Sequence, residues 1–442
     1  MQAAALSSCA QGPLRGRVRA PGDKSISHRA LILGLLCAGE SEIAGLLEAD
    51  DILRTAAACA ALGAKVERRG EGRWLIHGCG IGTLLAPRET LDFGNSGTGM
   101  RLMMGVAGSH AITACFDGDE SLRKRPMRRI LDPLCLMGAE VLSQSEGGRC
   151  PILLKGTGEP VPIEYSLPVP SAQIKSAVLL AGLNSSGRTA VIEAEPTRDH
   201  TEKMLSHFGA SVSIEPLPAG GQKISVEGRP ELRPARITVP ADPSSAAFPL
   251  VAATIVPGSD IIIEAVMMNP LRTGLVATLL EMGADITVAG RRCEGGEEVA
   301  DLRVRAARLN GADVPASRAP SMIDEYPILA AAAAFASGET RMRGLSELRV
   351  KESDRLAAVA DGLRQSGVGC QILGDDLIIE GKAGRVPGGG LVKTHLDHRI
   401  AMSFLCLGLA SQKPMAVDDS SMIATSFPSF RAVMETLGAQ FR

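Results

Sequence analysis

Six runs that are apolar nearly all round recur along the chain: ALILGLLCAG (30–39), RLMMGVAG (101–108), SAVLLAGLN (176–184), AAFPLVAATIV (246–256), YPILAAAAAFA (326–336) and AMSFLCLGLA (401–410). A helix with no polar face has to be buried on every side. Each run is followed by the same succession. After the first come a turn and a short strand, GESEIAGLL (39–47), then an amphipathic helix, DDILRTAAACAAL (50–62), that stops at Gly63. Equivalent stops, Gly-Ala or once Gly-Val, fall at Gly138, Gly209, Gly283, Gly367 and Gly438, at intervals of 75, 71, 74, 84 and 71 residues. A period of this size marks a repeated supersecondary unit, and the glycines are predicted left-handed C-caps. TAVIEAE (189–195) and DIIIEAV (260–266) alternate, which predicts strands with one exposed face. The pattern therefore predicts an α/β protein with helices inside and sheets outside. Its six units form two domains of three, with a boundary near PADPSS (240–245).

Polar chemistry collects just ahead of the six apolar runs, in PGDKSISHR (21–29), FGNSGTGMR (93–101), PSAQIKS (170–176), PADPSSAA (240–247), PSMIDEYP (320–327) and THLDHRIAM (394–402). Helix capping accounts for the Ser, Asn and Asp residues. It does not account for the cations. A cation in a first helical turn opposes the dipole, so Arg29, Arg101 and Arg399, expected in such turns, need an anion to offset them. The implied site is a cleft between the two domains, faced by helix N-termini and built for a substrate with several negative charges. Two further clusters fit it. RKRPMRR (123–129) puts Lys124 and Arg125 at the entrance of a helix, and KESDR (351–355) puts Lys351 and Arg355 on one helix face at i, i+4. Glu352 beside those cations is an ionised group or a poised proton carrier.

Composition narrows the classes. The chain has 442 residues, 45% of them hydrophobic, with 47 basic against 49 acidic residues and a net charge of −2. That balance argues against a nucleic-acid coat or a membrane-surface protein, so anion binding must come from local placement of charge. Aromatic content of 3% argues against base-stacking platforms. The longest apolar runs are near 12 residues, too short for a membrane span, and the N-terminal stretch lacks the features of a signal peptide. A cytoplasmic protein is expected. The ten cysteines show no CxxC spacing and read as reduced thiols; His395 and His398 in THLDHR fit one helix face, but no third ligand cluster accompanies them and no metal is expected.

PGDKSISHR, DFGNSGTGMR, LRKRPM, PSAQIKSAVLLAGL, TRDHTEKML, SMIDEYPILA, LRVKESDRL and LDHRIAMSF resemble, in order and spacing, the motifs of the 5-enolpyruvylshikimate-3-phosphate synthase family. The resemblance runs from about residue 14 to the C-terminus. It implies a two-domain inside-out α/β barrel of six βαβαββ repeats, three per domain. Residues 1–21 plus 241–442 would form one domain and 22–240 the other, with hinge crossings near 21–24 and 239–243 and the active site in the interdomain cleft. It also implies transfer of the enolpyruvyl group of phosphoenolpyruvate to the 5-hydroxyl of shikimate 3-phosphate, with release of phosphate and without a cofactor, by a monomer.

Matched motif by motif, the likeness assigns Lys24, Ser25, Arg29, Ser171, Ala172, Gln173, Arg198, Asp324 and Lys351 to shikimate 3-phosphate. Lys24, Asn95, Gly97, Thr98, Arg125, Gln173, Arg355 and Arg399 go to phosphoenolpyruvate. Asp324 matches the base at the 5-hydroxyl, and Glu352 and Lys24 match the groups that exchange protons with the methylene carbon. Two departures stand out: Thr425 replaces a lysine that many relatives carry, and Ala172 stands where a second serine is frequent. Gly97 occupies a position where glyphosate-insensitive members have alanine, so sensitivity is expected. The rival enzyme, UDP-N-acetylglucosamine enolpyruvyl transferase, has a cysteine in the loop that reads GDESLRKRP (118–126) here and contains none; Cys115 upstream is expected in a strand as a structural thiol. A two-domain polyanion-binding protein would not need Asp324 and Glu352. An RNA-end-processing enzyme would want a basic surface and a nucleotide loop.

Overall fold

The computed structural model describes residues 4–10, 12–218 and 220–442. The six apolar runs form helices Lys24–Leu36, Gly97–Gly108, Ala172–Gly182, Pro243–Ile255, Tyr326–Phe335 and His398–Gly408. All thirteen residues of Pro243–Ile255 are buried, as are all ten of Tyr326–Phe335. A helix satisfies its own backbone polar groups, which is why such segments can sit in the middle of a core while strands, with open edges, lie outside. Small residues set the packing distance. A Cβ on Gly105 would lie 2.4 Å from the Ala177 carbonyl oxygen, so Gly97–Gly108 and Ala172–Gly182 approach closely enough to exclude any side chain there. Residues 330–334, five alanines in succession, serve Tyr326–Phe335 in the same way against Pro243–Ile255 and His398–Gly408.

The amphipathic helices end as their glycines require. Gly63, Gly138, Gly209, Gly283, Gly367 and Gly438 all have positive φ, between 77° and 112°, a region closed to other residues except at a steric cost.

Six sheets follow one order. In each sheet among the described residues a short first strand pairs parallel with the strand after the buried helix, and in the five four-stranded sheets that strand is also paired to an antiparallel hairpin. Leu91–Asp92 with Thr113–Asp117, Glu164–Ser166 with Arg188–Glu193, Asp313–Val314 with Glu339–Met342, and Leu391–Val392 with Met415–Val417 are the plain cases. The other two exchange first strands. Arg15–Val18 precedes Lys24–Leu36 in sequence but pairs with Asp260–Met267, after Pro243–Ile255. Arg236–Thr238 precedes Pro243–Ile255 but pairs with Ala38–Ala44, after Lys24–Leu36. The sixth sheet takes Leu6–Ser8 as an antiparallel neighbour of Met415–Val417, and Ser8 bridges to Phe441. The chain divides into one compact unit of Met1–Pro21, Pro240–Cys293 and Glu297–Arg442 and another of Gly22–Val239 with Glu294–Gly296.

Strand exposure differs from expectation. Residues Thr189 to Val191 are buried in succession, and Asp260–Met267 alternates only until a register shift between Ile263 and Val266, where Ala265 adopts a φ of 51°. The bulge turns Val266 and Met267 inward together.

Candidate active site

In the unit Gly22–Val239 the opening motif caps its helix. Asp23 accepts a hydrogen bond from the Ile26 amide at 2.8 Å, and Lys24, the first helical residue, pairs with Asp51. Ser25 is half-buried and its carbonyl accepts from Arg29 Nη1 at 2.9 Å. The Arg29 guanidinium, 3% exposed, also donates to Thr201 Oγ1 at 2.7 Å and Ser176 Oγ at 2.8 Å. His28 is fully buried between Thr55 Oγ1 and Ser96 Oγ; burial, then Lys24 and Arg29, holds its pKa well below the usual histidine range, so it is neutral.

The second helix start is laced to the third. Ser96 caps Gly97–Gly108 by accepting from the Gly99 amide, and Ser171 caps Ala172–Gly182 by accepting from Ile174. Gln173 bridges them: its Oε1 accepts from Arg101 Nη1 at 2.6 Å, and its Nε2 donates to Thr98 Oγ1 at 2.9 Å. Arg125 donates to Asn95 Oδ1 at 2.8 Å and Ser121 Oγ at 3.3 Å. A methyl group on Gly97 would lie 3.2 Å from Arg125 Nη1 and 3.3 Å from Arg101 Nη1. Arg198 is half-buried one residue after Thr197. Lys24, Ser25, Arg29, Asn95, Gly97, Thr98, Arg125, Ser171, Ala172, Gln173 and Arg198 all belong to this unit.

In the other unit, carboxylates gather on one cation. Arg355 is fully buried and donates to Asp397 Oδ2 at 2.8 Å, Asp324 Oδ1 at 3.1 Å and Glu352 Oε2 at 2.5 Å. Burial opposes its charge, but Asp397, Glu352 and Asp324 more than offset this and hold its pKa above the normal arginine range. Lys351 Nζ lies 3.6 Å from Asp324 Oδ1, and Arg399 Nη1 donates to the Asp324 carbonyl at 3.2 Å. Asp397 caps His398–Gly408 through the Arg399 amide at 2.9 Å. Despite its burial, the Asp397 carboxyl is kept below its ordinary range, chiefly by Arg355. His398 is driven down to about 3 by burial and is neutral. Glu325 accepts from Ser244 Oγ, and its Oε1 lies 3.8 Å from Arg399.

Several expectations need correcting. Lys351 and Arg355 do not share a helix face: Asp354 caps the helix by accepting from the Ala357 amide, so Arg355–Gln365 begins at Arg355 and Lys351 follows a 3-10 turn. They meet through Asp324 instead. Only Arg399 stands in a first turn; Arg29 and Arg101 lie one turn further in, where the dipole acts more weakly. Lys124 is not at a helix entrance, since the helix starts at Arg128 after Met127, and its exposed ammonium pairs with Glu120. His395 has a φ of 53° and precedes the helix that His398 begins, so the two do not share a face. Thr425 closes the 3-10 turn Ser421–Thr425 and donates to the Met422 carbonyl at 2.7 Å.

Sequence reasoning missed the groups that hold the cations. Asp397 lies within THLDHRIAM and Asp51 within DDILRTAAACAAL, but the sequence did not mark them as the partners of Arg355 and Lys24. Lys175 lies within PSAQIKS, yet its partners Glu193 and Glu202 come from a strand and a helix that only the fold brings together.

Comparisons with known proteins agree with the motifs. The family model described as EPSP synthase (3-phosphoshikimate 1-carboxyvinyltransferase) matches residues 9–434. A 3-phosphoshikimate 1-carboxyvinyltransferase of Methylobacterium radiotolerans is 65% identical over 437 residues, covering 98% of this chain and 97% of that protein. One of Methylorubrum populi is 67% identical over 431 residues, covering 97% and 95%. The solved EPSP synthase of Acinetobacter baumannii superposes with a TM-score of 0.89 at 42% identity, covering 99% of both chains. No helix among the described residues is long and apolar enough to cross a membrane. The chain therefore belongs to the EPSP synthase family, and its reaction is the transfer of the enolpyruvyl group of phosphoenolpyruvate to shikimate 3-phosphate.

Proposed function

We propose that the two units share this reaction unequally: Gly22–Val239 holds most of the anionic groups of both substrates, and the other unit supplies the carboxylates Asp324 and Glu352, with Lys351, Arg355 and Arg399 completing the hold. The observation that carries the reading is Arg355, one buried cation hydrogen-bonded to both Asp324 and Glu352. It fixes two carboxylates with different tasks at neighbouring positions. Lys24, Ser25, Arg29, Ser171, Ala172, Gln173 and Arg198, with Lys351 and Asp324, take shikimate 3-phosphate. Lys24, Asn95, Gly97, Thr98, Arg125, Gln173, Arg355 and Arg399 take phosphoenolpyruvate. Guanidinium groups suit both, because they bind carboxylate and phosphate oxygens bidentately.

Asp324 accepts the proton of the 5-hydroxyl as its oxygen attacks the carbon of phosphoenolpyruvate that bears the phosphate, while Glu352 or Lys24 protonates the methylene carbon, giving a tetrahedral adduct. Phosphate then leaves as Glu352 or Lys24 takes a proton back from the methyl group, forming the enol ether of the product. The fixed cations stabilise charge at the adduct without joining it. The enzyme works as a monomer in the cytoplasm; among the described residues none of the ten cysteines is joined in a disulfide, which suits a reducing compartment.

Gly97 makes the enzyme sensitive to glyphosate, since a methyl group there would press on Arg125 and Arg101. Micromolar glyphosate that left turnover unchanged, at phosphoenolpyruvate near its KM, would contradict this. The reaction itself is tested by phosphate release from the purified chain with the two substrates together and singly. Release requiring both is expected; release from phosphoenolpyruvate alone would overturn the reading.

A further inference from the structure

We propose that Lys175, acting through Glu193 and Thr197, is a positioning residue that sets the Arg198 loop against the Ser171–Gln173 helix start for recognition of shikimate 3-phosphate. The proposal rests on the reading that Arg198, Ser171 and Gln173 contact that substrate.

Lys175 is completely buried, an unusual place for an ammonium. Its Nζ donates to Glu193 Oε1 at 3.0 Å, at the end of strand Arg188–Glu193, and to the Thr197 carbonyl at 3.2 Å. It lies 2.7 Å from Glu202 Oε1, in helix His200–His207. Strand, loop and helix are thus tied to one nitrogen. Thr197 is held twice, because its hydroxyl also donates to Glu193 Oε2 at 2.7 Å, and Gln222 Nε2 steadies Glu193 Oε1 at 2.7 Å. Arg198 is the next residue.

The far end of the same loop is fixed as well. Thr201 Oγ1 lies 2.7 Å from Ser176 Oγ, the residue after Lys175, and both hydroxyls receive Arg29. Residues 197 and 201 are therefore each anchored to helix Ala172–Gly182, and Arg198 has its backbone set from that helix.

Stability does not explain the arrangement. A buried ion pair gains little over a well-packed apolar residue of similar volume. Here two carboxylates, each at most 2% exposed, face one ammonium. Burial pushes the Glu202 carboxyl above its ordinary range even with Lys175 opposing, and among the described residues its Oε2 has no hydrogen-bond partner. Methionine at 175 with apolar residues in place of both carboxylates would fill the space without that cost. What a methionine cannot do is fix the carbonyl and, through Glu193, the hydroxyl of Thr197, and a binding residue on a loop needs such support to hold its geometry.

The test is steady-state kinetics of Lys175→Met, with KM measured separately for the two substrates and melting temperature recorded. The KM for shikimate 3-phosphate should rise about tenfold or more while that for phosphoenolpyruvate stays within about twofold, and in Lys175→Met/Arg198→Ala the two effects should fall well short of multiplying. A lowered melting temperature with both KM values unchanged, or fully multiplicative effects, would overturn the proposal. Thr197→Val keeps the ion pair and decides the matter if Lys175→Met does not fold: a rise of about threefold in the same KM supports the proposal and no rise overturns it. Arg198→Ala alone is the control. If it leaves the shikimate 3-phosphate KM unchanged, the Arg198 assignment falls and the proposal with it; if it raises that KM and Lys175→Met does not, only the proposal falls.

Discussion

The two units treat arginine in opposite ways. In Gly22–Val239, neutral groups accept from three arginines of the site: two hydroxyls and a carbonyl from Arg29, an amide and a carbonyl from Arg101, an amide and a hydroxyl from Arg125. In the other unit, Arg355 is surrounded by Asp397, Asp324 and Glu352. A neutral acceptor orients a guanidinium without cancelling its charge, which leaves Arg125 able to hold a substrate anion. Three carboxylates on Arg355 do the reverse: they offset much of its charge, and besides its place in the phosphoenolpyruvate site it arranges acids. The first pattern suits binding and the second suits proton transfer, which is why one reaction can draw on both.

The largest effect expected is on catalysis. Asp324→Ala should lower kcat about a thousandfold, within the range for loss of a general base, whereas Arg29→Met should act mainly by raising the KM for shikimate 3-phosphate. Equal effects on kcat from both substitutions would erase the distinction. Next is stability. Arg355→Met leaves three acids around an apolar side chain and should cost about 3–5 kcal/mol in urea unfolding; Arg125→Met, which strands no carboxylate, should cost under about 1 kcal/mol.

A smaller effect follows from two buried neutral histidines, His28 in one unit and His398 in the other. His398 in the folded chain titrates near pH 3, and His28 also lies well below its ordinary value of 6.5. Below about 6.5 the unfolded chain binds protons at these positions that the folded chain does not, so stability rises with pH and falls on acidification. Between pH 6.5 and about 3, His398 contributes about 1.4 kcal/mol per pH unit. Replacing His398 with glutamine should flatten the dependence of melting temperature on pH between 6 and 4, and an unchanged slope would show that His398 is not the source. Gly97→Ala should raise the glyphosate concentration for half-inhibition about tenfold while changing the KM for phosphoenolpyruvate less. Smallest of all, Lys124→Ala should alter stability by under about 0.5 kcal/mol, since its ion pair with Glu120 is exposed.

The same contrast explains what the sequence could reveal. The buried helices and their glycine stops were legible because each rests on a local rule: apolar residues on all faces, and a positive φ that glycine tolerates. The polar helix starts were legible for the same reason. The exchanged strands Arg15–Val18 and Arg236–Thr238 were not, because three or four residues carry no periodicity and their partners are set by the fold. Lys351 and Arg355 were brought together correctly but for the wrong reason, since Asp354 takes the capping position that starts the helix at Arg355. Lys175 was visible as a lysine at a helix start, but nothing local foretold that Glu193 and Glu202 would bury it.

The division of labour is tested most directly by titrating shikimate 3-phosphate into Asp324→Ala in a calorimeter. If the other unit supplies the proton acceptor while Gly22–Val239 supplies most of the hold, the dissociation constant should stay within about tenfold of that of the unaltered chain although turnover is lost. A dissociation constant weakened about a thousandfold, in step with kcat, would contradict the account.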